Sequence, residues 1–287
     1  MKTMRAMKNA LAGGLAPARR LGKTLATLVL ATATAVAAAH DTWLAAEQRG
    51  VDAGGELSLL MTSGERFPIL GTVIAPSRIE RAACRQGAST VAFKAPRREP
   101  KALRLSTQPV EAGAITCWVV LAPRSLELKE TEVDHYLDEI DAPVDVRSAW
   151  ERAARPRRWI ETYAKHAKVT VPALASRPVG PAEAPVGLKL ELVVGKDLSE
   201  GRIDTDLPVR VLLDGKPRAG LSVALTGDGP GAPQRQRTNA QGEATFAAPT
   251  PGRWMLSATD LGPAPSRPGE WESQFTTLVF EILPGAR

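Results

Sequence analysis

The chain has 287 residues, with 37 Lys and Arg against 31 Asp and Glu, a formal charge of +6. Six of the basic residues lie in the first 39 positions, which hold no acid, so the remainder carries 31 of each sign. A near-neutral body excludes general electrostatic recruitment to nucleic acid or to an anionic membrane, which depends on clustered Lys and Arg.

The first element in chain order is a targeting segment. Lys2 to Lys23 is basic, Leu25 to Val36 is apolar but too short to span a bilayer, and Ala37-Ala38-Ala39 supplies small residues at a cleavage site. This predicts a signal peptide over residues 1–39 and a periplasmic product secreted by the general route. No later stretch is long and apolar enough for a membrane span. Cleavage after Ala39 makes His40 the new N-terminus; cleavage after Ala38 leaves Ala39 first instead.

From His40 to Pro123 short strands alternate with turns. Leu57–Met61, Thr72–Ile74, Ile79–Cys84, Thr90–Phe93 and Ala102–Leu105 follow one another, and Ala114–Leu121 reads as a buried central strand. Cys84 and Cys117 are the only cysteines. An even pair in an exported chain predicts one disulfide, here joining two strands across a loop of roughly 30 residues, worth about 3 kcal/mol in the chain-entropy treatment. A thiolate metal site is the alternative use of the pair.

Periodicity changes between residues 130 and 163. Val133, Tyr136, Leu137 and Ile140 recur at helical spacing, and Ala149 to Ala154 suggests a second helix ending before Pro156. Acids come first here (Glu130 to Asp145) and arginines after (Arg147 to Arg158), a pattern that fits a solvated helical hairpin held by mutual attraction. Strand character returns at Lys168–Val171. Pro172 to Gly187 is rich in Pro, Ala and Gly and reads as a crossover or linker. The tail contains further strands at Leu188–Val194, Pro208–Leu213, Leu221–Leu225, Glu243–Phe246, Pro251–Trp254 and Phe275–Ile282, with turns at Asp214-Gly215 and Thr238–Gly242. The reading is a mainly β protein of two immunoglobulin-like or transthyretin-like β-sandwiches, with a short helical insertion in the first. Its expected domains are 40–187, with the insertion around 130–163, and 188–287.

Several segments carry a family resemblance: His40-Asp41-Thr42-Trp43-Leu44, Tyr136-Leu137-Asp138-Glu139, Tyr163–Lys168, Gly215-Lys216-Pro217, Thr238–Gly242 and Pro251-Gly252-Arg253-Trp254. In this order they resemble a family of exported proteins known as a domain of unknown function, some of them associated with nickel or cobalt uptake transporters. The tail by itself is similar to transthyretin-like and collagen-adhesin-B-like sandwiches, a likeness that speaks to fold and not to function. The family resemblance implies a periplasmic metal-binding accessory that delivers an ion to a membrane transporter component, with the initial histidine falling on His40.

The residues point the same way. A terminal His40 offers its amine and its imidazole to one ion, and imidazole suits nickel, copper and zinc. The chain has only three histidines, His40, His135 and His166. No His-Glu-x-x-His or Cys-x-x-Cys motif occurs, so a site has to be assembled from distant segments. His166 or His135 could add a third nitrogen, and Asp41, Asp134 or Glu132 a carboxylate or an orienting bond. The competing readings place His135 exposed on an acidic helix and His166 at a helix end. Trp43, Trp118, Trp150, Trp159 and Tyr163 read as core anchors. The expected cofactor is a divalent transition metal ion (Ni, Co or Cu) and the expected activity is capture without catalysis. Two alternatives stand beside it: a copper histidine-brace redox enzyme, and an adhesion or scaffold module without metal. Hydrolysis has no support, since no Gly-x-Ser-x-Gly elbow is present.

Overall fold

The structure, a computed structural model, describes residues 40–52, 54–110, 113–172, 184–203 and 205–284. The signal segment expected over 1–39 lies outside the described residues. In chain order the strands are β1 (Asp41–Ala46), β2 (Glu56–Gly64), β3 (Thr72–Val73), β4 (Ile79–Gln86), β5 (Ser89–Val91), β6 (Arg97–Arg98), β7 (Leu103–Pro109) and β8 (Ile115–Leu128). Two helices follow, α1 (Glu130–Glu139) and α2 (Val144–Arg152). Then come β9 (Trp159–Val171), β10 (Leu190–Val194), β11 (Leu207–Leu213), β12 (Lys216–Pro217), β13 (Ser222–Gly227), β14 (Gln234–Arg237), β15 (Glu243–Phe246), β16 (Gly252–Pro263) and β17 (Trp271–Ile282). The protein is mainly β, as the alternating pattern predicts, and no described helix is long and apolar enough to cross a membrane.

Among the described residues the strands form three sheets. A five-stranded sheet runs β1-β2-β7-β6, with β3 beside β2, and a four-stranded one runs β10-β11-β12, with β15 beside β11. Between them lies an eight-stranded sheet in the order β14-β13-β16-β17-β9-β8-β4-β5. The residue 187/188 boundary falls between β9 and β10, yet this central sheet draws β4, β5, β8 and β9 from before it and β13, β14, β16 and β17 from after it. The junction is a parallel pairing of β9 with β17, Glu161 opposite Trp271 through Thr170 opposite Phe280.

Side-chain alternation explains how one sheet serves two sandwiches. Successive residues of a strand point to opposite faces. On β17, Val279 joins the core beneath the five-stranded sheet, with Trp43, Leu59, Cys117 and Val169. Its neighbours Leu278 and Phe280 join the other core, with Leu192, Val211 and Leu225, beneath the four-stranded sheet. Met255 and Leu256 divide in the same way on β16. The sandwiches therefore sit on opposite faces of a shared sheet. Cys84 and Cys117 are direct partners across β4 and β8 and form the expected disulfide.

The helical segment is shorter than the sequence suggests. It ends at Arg152, and the residues from Trp159 onward already belong to β9. Trp159, Glu161, Tyr163 and Lys165 alternate with a period of two, which is a strand signal inside the region read as helical. The chain leaves α1 through Asp141, at φ 47°, and Ala142 N donates to Leu137 O at 2.9 Å. Both helices pack through Val133, Tyr136, Leu137, Val146 and Trp150 onto Trp159, Trp271 and Phe275. Phe275 shares its face with Val279, so the helices cover the face that also carries the five-stranded sheet. Ion pairs tie the acidic and basic halves of this segment, Glu130 to Arg157 and Asp138 to Arg147 at 2.7 Å among them.

Strand β1 is an edge of its sheet. Three carbonyls along its open side are taken by side chains of the central sheet: Lys165 Nζ donates to His40 O, Thr277 Oγ1 to Thr42 O at 2.7 Å, and Arg253 Nη2 to Ala46 O at 2.9 Å. Unpaired edge groups are a liability in solution, and these donors cover them.

Candidate functional site

Strands β1 and β2 pair with Asp41 opposite Gly64, so His40 and Glu65 face each other just beyond the end of the ladder. His40 Nε2 is 3.2 Å from Glu65 Oε1. The approach is off the hydrogen-bonding direction, and this buried nitrogen makes no hydrogen bond. The imidazole is 19% exposed, whereas the Glu65 side chain is 74% exposed. The loop after Gly64 folds back tightly. A Cβ on Gly71 would come within 2.4 Å of Ser63 O, so this close approach needs glycine.

Asp41, half-buried, lies beneath this pair. Burial pushes its carboxyl above the usual range, offset in part by Lys165, by a hydrogen bond with Ser257 and by Arg235. Lys165, on the strand behind, is pulled by burial down to about 8, with Asp41 acting in the opposite direction. Its ammonium also lies 5.0 Å from the ring centre of Phe275. His40, Asp41, Glu65, Arg235, Met255 and Ser257 line a cleft of about 420 Å³ between the end of the five-stranded sheet and the β13–β16 region. The arrangement presents an imidazole nitrogen without a hydrogen bond, an exposed carboxylate and a thioether in one cleft. Such donors can hold a cation of intermediate softness.

The other two histidines do not join this group. His166 is in the middle of β9, not at a helix end, because the strand begins at Trp159. Lys165 points toward β1, so the adjacent His166 points to the opposite face, where its Nε2 pairs with Gln274 Oε1 at 3.0 Å. Burial lowers its pKa and favours the neutral ring. His135 stands on α1 with 78% of its side chain exposed, 3.3 Å from Glu139 one turn on. Among the described residues no group of three or more His, Cys, Asp or Glu gathers around a common point.

Sequence reasoning missed Glu65, which becomes visible only through the β1–β2 register. It also missed Glu161, a fully buried carboxylate under α1 that accepts from Tyr136 Oη at 2.9 Å, from Trp159 Nε1 at 2.8 Å and from Ser273 Oγ. Burial raises its pKa, and these three bonds oppose the rise. The signal for it was a charge at an inward position of an alternating strand. Of the aromatics read as anchors, Trp43, Trp150 and Trp159 are buried, and Trp159 stacks on Trp271 at 4.4 Å.

Comparison with known proteins gives one family match. Residues 37–260 match the model of a family described as a domain of unknown function, DUF4198. No curated protein matches. Among solved structures, the chain is similar to the full Ig1–Ig3 ectodomain of mouse nectin-like molecule 4, with 9% identity and a TM-score of 0.20. That match covers 86% of this chain and 66% of the ectodomain. A second similarity is to native alpha-2-macroglobulin from Escherichia coli spanning domains MG0-NIE-MG1, with 9% identity, 84% and 97% coverage and a TM-score of 0.21.

Proposed function

The chain belongs to the DUF4198 family, and for this member we propose an exported, non-catalytic β-sandwich module that captures a divalent transition metal ion at the His40 cleft. The observation that supports this reading is the His40 imidazole nitrogen, buried without a hydrogen bond and 3.2 Å from the Glu65 carboxylate. A buried polar atom without a partner calls for one. His40 and Glu65 fit a metal as ligands. A signal cleavage after Ala39 would add the His40 amine, giving two nitrogens and a carboxylate, a set suited to nickel, cobalt or copper. His166 and His135, expected as further ligands, face elsewhere, and Asp41 serves as a half-buried neighbour that draws positive charge toward the cleft.

In this reading the module hands its ion to a membrane transporter component, and the open cleft mouth suits transfer more than storage. A histidine-brace enzyme requires a second imidazole on the same ion, and the positions of His135 and His166 lend it no support.

The test is a competition titration of Ni(II), Co(II) and Cu(II) against the mature protein, beside a form with one extra N-terminal residue and a Glu65→Gln variant. Affinity falling in both altered forms and holding in His166→Ala supports the cleft. Equal binding in all forms moves the site away from His40. An absence of binding throughout leaves the metal-free envelope module as the function.

A further inference from the structure

Behind His40, on the same face of the central sheet, lies a second cavity of about 220 Å³. Arg78, Arg124 and Lys165 line it with Tyr163, Ser63 and Thr72, and its wall contains no Asp or Glu. Arg78 Nη2 donates to Ala122 O at 2.7 Å, and Lys165 Nζ donates to His40 O. Arg78 Nε is buried with no hydrogen-bond partner. Burial and the neighbouring Arg124 disfavour the Arg78 charge, and Tyr163 favours it.

This convergence is built by an irregularity in β8. Leu121 lies opposite Lys165 and Arg124 lies opposite Tyr163, so Ala122 and Pro123 are both accommodated across from Ala164. In a regular ladder Pro123 would oppose Tyr163. The extra residue puts Arg124 on the face already carrying Tyr163 and Lys165. Bulges commonly re-aim a side chain in this way, and proline in a strand is confined to such places. Arg78, at the end of a single 3₁₀ turn (Pro76–Arg78), then fastens to the bulged carbonyl.

Three like charges around a partly enclosed space disfavour one another, and the unsatisfied guanidinium donor adds to that cost. A ligand carrying negative oxygens relieves both. The guanidinium fork matches carboxylate and phosphate geometry, and the ammonium adds a point charge. The volume is below the roughly 300–1,000 Å³ of sites for drug-sized ligands, which restricts the occupant to a compact molecule. We propose that this cavity is a binding site for a small oxyanion, the carboxylate or phosphate of a compact acid, held by Arg78, Arg124 and Lys165. The site does not depend on a metal at His40.

Calorimetric titration of the full chain in metal-free buffer with citrate, succinate and inorganic phosphate tests the proposal. Saturable binding of at least one of them is expected. Arg124 is exposed and can be replaced without opening the core, so Arg124→Ala weakens the binding by about tenfold or more, a loss corresponding to one charged hydrogen bond. Arg124→Lys recovers part of the loss, and Lys216→Ala, on the exposed hairpin of the four-stranded sheet, changes nothing. Preference for citrate or succinate identifies a carboxylate ligand, and preference for phosphate the alternative. If no anion binds the wild type, or if affinity is unchanged in both Arg124→Ala and Arg78→Gln/Arg124→Ala, the site does not exist.

Discussion

Lys165 and Lys168 lie three residues apart on β9, both buried, on opposite faces of the central sheet, and they are satisfied differently. Lys168 meets Glu191 at 2.7 Å, and the carboxylate also accepts from the backbone amides of Val186, Gly187 and Leu188. Burial alone would raise the Glu191 pKa, but Lys168 and these amides hold it below the usual range. Lys165 has a carbonyl and two aromatic rings, and its carboxylates, Asp41 and Glu161, act on it only through space. A buried charge whose partners are complete fixes β10 against the central sheet. One whose partners are incomplete, beside a cavity, retains capacity for a ligand.

Breaking the complete pair has the largest expected effect. Glu191→Leu strands Lys168 and three amides, and denaturant titration should record a loss of about 3–5 kcal/mol. Replacing both Cys84 and Cys117 by Ala removes the tie across a separation of 33 residues and should cost about 3 kcal/mol in the same assay. Lys165→Met sharpens the contrast with Glu191→Leu. It removes a donor to an edge carbonyl and also a charge that burial disfavours, and the net loss should be about 1 kcal/mol.

Glu161 provides a test by pH. Its folded pKa is raised above the ordinary 4.5 by burial, so the folded state binds more protons than the unfolded one above that pH. Its contribution is complete below pH 4.5 and is lost as pH rises through the folded value. Thermal melts at increasing pH should show that decline in the wild type, and Glu161→Gln should flatten it. The smallest effect belongs to His135→Ala. This exposed ring has only an i,i+4 neighbour, and stability should stay within about 0.5 kcal/mol.

Most strands were legible because apolar and polar residues alternate between turns, and the cysteine pair was legible because it is the only one in the sequence. Local pattern says nothing of the β9–β17 pairing, whose partners are more than 100 residues apart and parallel. The helical stretch was overextended because Glu161 and Lys165 interrupt the first half of β9 with charges at inward positions. At the site, the expected cleavage position singled out His40 and drew attention to its neighbour Asp41. Glu65 reaches the cleft through strand register and a tight loop, and Arg78 and Arg124 meet in the second cavity through a bulge; none of these has a motif. His166 was misplaced for a simpler reason: a one-residue step along a strand reverses the face.

The capped edge of β1 also bears on the order in which the molecule can be finished. Its three donors come from β9, β16 and β17, and the bond between Thr42 and Thr277 spans 235 residues. A chain emerging from its N-terminus holds the residues around His40 early but lacks two of those donors until the last strands have been made. Both cavities beside His40 therefore mature late, and a polypeptide halted before Trp271 would leave its first strand open to pairing with another copy.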